Sequence, residues 1–181
     1  MVILEQWSYF WKKGASIKAI GPYGRTLLHY AAMGGHTGTA ELLLTKVDSI
    51  DTMDEAKDTA LHFATWNGHT GMMDLLLRKS ASIEAIGYKD WTPLHFAAWK
   101  GHTGALELLL EKGASIEVRN NFQRTPLDLA GEYGHTDIVQ LLKKKDAELA
   151  HGNHGTYGRN ILILCTGILI AKLLLSLIAH G

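Results

Sequence analysis

The sequence predicts an all-α protein of stacked helix–turn–helix units with extended tips, ending in a hydrophobic C-terminal helix. Three observations predict it. First, Thr26-Leu27-Leu28-His29 returns as Thr59-Ala60-Leu61-His62, Thr92-Pro93-Leu94-His95 and Thr125-Pro126-Leu127-Asp128, at a step of 33 residues. Second, Gly-His-Thr keeps that step at 35–37, 68–70, 101–103 and 134–136. Leucine runs at 42–44, 75–77 and 108–110 follow it and fade to Leu141-Leu142-Lys143. Third, residues 161–179 form a 19-residue apolar segment interrupted by one charge, Lys172.

Each repeated residue has a physical task. Thr92 is placed to cap a helix, its hydroxyl facing an orphan N–H, and Pro93 at the first helical position has no N–H to leave unpaired. Leu94, Ala97 and Ala98 then face a neighbouring unit, the alanines allowing close approach. Gly101 ends this first helix, where a left-handed residue costs least in glycine. Thr103 starts a second helix with Ala105, Leu106, Leu108, Leu109 and Leu110 on its apolar face. Gly113 ends that one, and Ala114-Ser115-Ile116 runs out into the next tip. A single unit cannot bury its apolar face, whereas four stacked units build a continuous core.

These residues resemble the ankyrin repeat, a 33-residue unit with the signature T-P-L-H-x-A, most completely in Thr92-Pro93-Leu94-His95-Phe96-Ala97. The resemblance implies an ankyrin-repeat solenoid over residues 1 to about 148. Its divisions are an N-terminal half repeat (1–20), repeats at 21–53, 54–86, 87–119 and 120–148, and a linker at 149–160. The chain departs from the pattern in places. The family's glycine two residues before the motif Thr survives only as Gly24, with Lys57, Asp90 and Gln123 elsewhere. The first two repeats lack the motif Pro, and the last has Asp128 in place of His.

Residues 1–17 match the back half of a unit, with Ile3, Leu4, Trp7, Phe10 and Trp11 and no inner helix before them. This admits two readings, an N-terminal half-cap or an array with further repeats before Met1. At the other end, Lys143-Lys144-Lys145 adds charge where a stack would meet water.

The segment 161–179 has the length of a membrane-spanning helix. Its twelve Leu and Ile contribute about −4 to −7 kcal/mol to insertion against about +3 for Lys172. Lysines and Arg159 precede it and only His180 and Gly181 follow. The expectation is a C-terminal membrane anchor with the repeats facing the cytoplasm. The alternative is a soluble, cytoplasmic module whose apolar tail packs on the repeats or joins copies together.

The resemblance implies a partner site on the concave face, built from the tips and the exposed flank of each inner helix. Counting from the motif Thr assigns Tyr23, Arg25, Met33, Trp66, Tyr88, Lys89, Trp91, Trp99, Lys100, Phe122, Arg124 and Tyr133 to it. Trp, Tyr and Arg are enriched at binding hot spots, and the implied partner is a protein. Lys89, Lys100 and Arg124 beside the aromatics point to a partly acidic patch on it.

Other functions receive little support. Lys+Arg and Asp+Glu are both 18, so the net charge is zero, which argues against a nucleic-acid partner. Seven histidines occupy repeat slots spaced along the chain, an arrangement suited to structural hydrogen bonds and not to convergence on a metal. Asp51, Asp54 and Glu55 read as solvated charge on a tip. Cys165, the only cysteine, lies in the apolar segment, a poor place for a thiolate. No phosphate loop, nucleophile elbow or zinc-protease motif occurs. No enzyme activity, cofactor, metal or small-molecule substrate is expected.

Overall fold

The computed structural model describes residues 19–150. The expected N-terminal half repeat (1–20) falls almost wholly outside the described residues, and the apolar segment 161–179 and most of the linker lie outside them entirely. The chain divides into two compact units, residues 1–141 and 142–181. In the second, residues 142–150 are helical.

The first unit contains seven complete helices among the described residues: α1 (Leu27–Met33), α2 (Thr37–Leu44), α3 (Ala60–Trp66), α4 (Thr70–Arg78), α5 (Pro93–Lys100), α6 (Thr103–Glu111) and α7 (Pro126–Glu132). An eighth, α8, starts at residue 136. Short 3₁₀ turns occupy Pro22–Gly24 and Tyr88–Asp90. The inner helices α1, α3, α5 and α7 pack in sequence, each against the next. The outer helices α2, α4 and α6 do the same, and each packs on its own inner helix. Among the described residues, none of these helices is long and apolar enough to cross a membrane.

The motif residues produce this order. Thr26, Thr59, Thr92 and Thr125 are N-caps in extended conformation, each in a capping box with the residue three places on. Pro93 and Pro126 fill the first helical position. The inner-helix alanines Ala32, Ala64, Ala97, Ala98 and Ala130 are all fully buried, and their small side chains let the helices stack closely. Thr65 takes the place of an alanine in α3. It is fully buried, and its hydroxyl donates to the Leu61 carbonyl at 2.8 Å, which satisfies the extra polar atom. Leu43, Leu76 and Leu109 of the outer helices are equally buried, each contributing about 1.5–3 kcal/mol.

Two sets of histidines stitch the repeats together. In the motif set, Nδ1 of His29, His62 and His95 accepts from the backbone N–H of its own capping Thr, at 2.9–3.1 Å. Nε2 of the same ring lies 3.0–3.1 Å from the carbonyl of Asp58, Trp91 or Arg124, 29 residues ahead. A backbone N–H only donates and a carbonyl only accepts, so each ring is neutral with its proton on Nε2. The Gly-His-Thr set points backwards. Nε2 of His69, His102 and His135 donates to the carbonyl of Met33, Trp66 or Trp99, 36 residues earlier. Each of the three inner-helix interfaces is therefore crossed by two imidazoles running in opposite directions.

Glycine at the end of the inner helix serves that stitch. Gly35, Gly68 and Gly101 have φ of +67°, +70° and +76°. A Cβ on them would stand 2.9, 3.0 and 2.6 Å from the next repeat's His69, His102 and His135 rings. The fourth repeat ends the motif relay. Asp128 accepts from both the N–H and the hydroxyl of Thr125 at 2.8 Å, and a carboxylate has no proton to send to a further tip.

The tips correct one expectation. Asp54 is 6% exposed and is no solvated charge. Its Oδ1 accepts from the N–H groups of Ala56 and Asp58 at 2.8 and 3.0 Å, and its Oδ2 accepts from Arg25 Nε at 3.2 Å. Asn120 closes the fourth tip in the same way, on Phe122 and Arg124. Asp51 is also engaged, accepting from the Ser82 N–H across the repeat boundary.

Candidate partner-binding surface

Periodicity explains how the aromatic side chains meet. Trp66 and Trp99 hold the same place near the C-terminal ends of α3 and α5, so stacking the helices stacks the indoles. Their ring centres lie 5.0 Å apart in an edge-to-face arrangement. Tyr133, at the end of α7, extends the row with its ring 5.9 Å from Trp99. Trp91, from the third tip, meets Trp99 edge-on at 5.2 Å. Phe96 lies beneath, 5.3 Å from Trp66 and 5.0 Å from Trp91. Such pairs contribute about 0.5–1.5 kcal/mol each beyond burial.

This row is both packed and open. Trp66 is 39% exposed and Tyr133 is 56% exposed, whereas Trp91 and Trp99 are half-buried. The Trp91 indole N–H is buried and has no hydrogen-bond partner among the described residues.

Cations sit on the aromatic faces. Lys100 Nζ lies 4.2 Å from the Trp66 ring centre and 4.3 Å from that of Trp99. Lys89 bridges Tyr88 and Phe122 at 5.0 and 5.1 Å. Arg25 lies over Phe63 at 4.7 Å and Tyr23 at 5.3 Å. Each contact is of order 0.5–1 kcal/mol where exposed and more where water is excluded. Arg25 is also paired with Asp54, and Arg124 with Glu132.

Eleven of the twelve sequence-assigned residues fall into three groups. Trp66, Trp91, Trp99, Lys100 and Tyr133 form the row just described. Tyr88, Lys89 and Phe122 share the third and fourth tips, with Arg124 following. Tyr23 and Arg25 lie at the first tip, where Tyr23, Arg25, Asp54, Glu55, Tyr88 and Lys89 are among the residues lining a cleft of about 490 Å³. Met33 is half-buried and receives His69 on its carbonyl.

Phe63 and Phe96, which carry the cations and indoles from below, were missed. Their signal was present in the sequence, an aromatic recurring beside the motif His at Tyr30, Phe63 and Phe96. Burial raises the Asp58 carboxyl above its ordinary range, opposed by the Tyr88 N–H bond. Among the described residues, no cluster of His, Cys, Asp or Glu could hold a metal ion.

No curated protein matches the chain. A family model described as ankyrin repeats (3 copies) matches residues 6–87, 46–120 and 84–153. Together these matches cover most of the sequence, and the chain belongs to the ankyrin-repeat family.

Proposed function

We propose that the chain is a non-enzymatic interaction module that takes a protein partner on the face formed by Trp66, Trp99, Lys100 and Tyr133, and that residues 161–179 tether it to a membrane with the repeats on the cytoplasmic side. The observation that carries the binding role is the aromatic row itself. Three stacked aromatic side chains, two of them well exposed, form a rigid apolar strip rimmed by charge, the composition of a binding hot spot. Packing alone needs less, since the alanine and leucine core already holds the repeats together. Support for the tether comes from the sequence, in the length and apolarity of 161–179 and the preceding basic residues.

Photocrosslinking tests the binding face. p-Benzoylphenylalanine placed at 133 in the full chain, expressed in cells, is expected to give discrete protein adducts. The same group at Glu107, exposed on α6, is expected to give none of them. Identical adducts from both positions would remove the face from the account. Membrane partition tests the tether. The full chain is expected to resist carbonate extraction and residues 1–158 to be released. Release of both would favour the soluble module.

A further inference from the structure

We propose that the partner segment docking on this face is an acidic peptide, with carboxylates seated on Lys100 and Lys89. The proposal rests on the reading of the aromatic row as the docking surface and adds the chemistry of what binds there.

The argument comes from which cations are already paired. Of the four basic side chains assigned to this face, Arg25 and Arg124 are neutralised within the protein, by Asp54 and Glu132. Lys89 and Lys100 have no carboxylate within salt-bridge distance among the described residues, and each is instead held between two rings from adjacent repeats. Lys89 is exposed beside Tyr88 and Phe122, whereas Lys100 is half-buried between two indoles, partly desolvated and already placed to receive an anion. The low-dielectric rings strengthen its field. A basic segment is disfavoured on two grounds. The faces of Trp66 and Trp99 that would attract its cation already hold Lys100, and its charge would be repelled by both lysines.

Lys89 lies in the third tip, four residues before α5 begins at Pro93, and Lys100 is the last residue of that helix. Between them the peptide would cross Trp91 and Trp99, a place for an apolar side chain.

Selection from a phage-displayed library of random dodecapeptides on the immobilised full chain tests this. Binders are then measured against the wild type, Lys89→Gln/Lys100→Gln, Lys100→Arg and Trp99→Ala, each variant checked by its melting curve. The expected binders are enriched in Asp and Glu. They lose at least tenfold in affinity on Lys89→Gln/Lys100→Gln, retain most of it on Lys100→Arg, and weaken as salt rises. Neutral or basic binders that fail on Trp99→Ala would overturn the acidic partner and leave the face standing. Binders indifferent to Trp99→Ala would overturn both readings. A selection yielding nothing weakened by Lys89→Gln/Lys100→Gln would also count against the proposal.

Discussion

Nε2 of His62 donates to the carbonyl of Trp91 at 3.1 Å, so a fully buried imidazole in one repeat holds the tip that carries an aromatic of the candidate partner-binding face in the next. The same ring accepts from Thr59 N–H on Nδ1, so both nitrogens are committed and the ring works only when neutral. Structure and candidate function therefore depend on the same proton.

Acidification is expected to loosen the stack. Burial lowers the His62 pKa to about 4, and also lowers those of His29 and His95. An unfolded His binds its proton near 6.5. The folded state then binds fewer protons, so the stabilisation is complete above about pH 6.5 and declines as pH falls toward 4. His62 alone accounts for about 3 kcal/mol over that window. Asp58, with its raised pKa, acts in the opposite sense as pH falls through it. Urea midpoints at pH 7.5, 6 and 5 should fall in order, and a flat series would contradict neutral stitching histidines.

Much of this was legible in the residues. The step of 33 fixed the repeat, the capping Thr fixed each helix start, and Gly35, Gly68 and Gly101 marked the inner-helix ends. A structural role for the repeat histidines was legible too, but not its direction, because spacing along the chain does not say which carbonyl a ring meets across an interface. The same limit hid Asp54, whose sequence neighbourhood looks solvated and whose burial comes from Arg25 and the turn folded round it. Lys100 between Trp66 and Trp99 was equally invisible, since the contact joins two repeats.

The tip departures carry strain. Lys57, Asp90 and Gln123, in the place held by Gly24, have φ of +69°, +59° and +61°. Side chains there cost about 1 kcal/mol or more relative to glycine. Lys57→Gly and Gln123→Gly are each expected to stabilise the fold by roughly 0.5–1 kcal/mol, read from denaturant midpoints. Destabilisation by both would mean that these side chains make contacts worth more than the strain.

Two glycines of the same conformation should respond differently to alanine. Gly101 and Gly134 have φ of +76° and +74°, but only Gly101 has an imidazole, His135, 2.6 Å from the added Cβ, while Gly134 has nothing within 4 Å. Gly134→Ala should cost about 1 kcal/mol, the backbone term. Gly101→Ala should cost about 2–3 kcal/mol, because the His135 bond to the Trp99 carbonyl must also yield. Equal losses would mean that the ring moves aside freely.

Leu109 is fully buried in the last turn of α6. Leu109→Asp places an unpaired charge there and is expected to unfold the array at 25 °C. Circular dichroism checks this, and an unchanged melting curve would overturn the packing described.

The most direct measurement of the central claim pairs folding with recovery of partners for Trp99→Ala in the full chain. Helical circular dichroism is expected to stay nearly intact and the partners recovered by the wild type to be depleted, with Glu107→Ala recovering them normally. Loss of the helical signal would make Trp99 part of the core, and a folded variant that keeps every partner would place recognition elsewhere on the molecule.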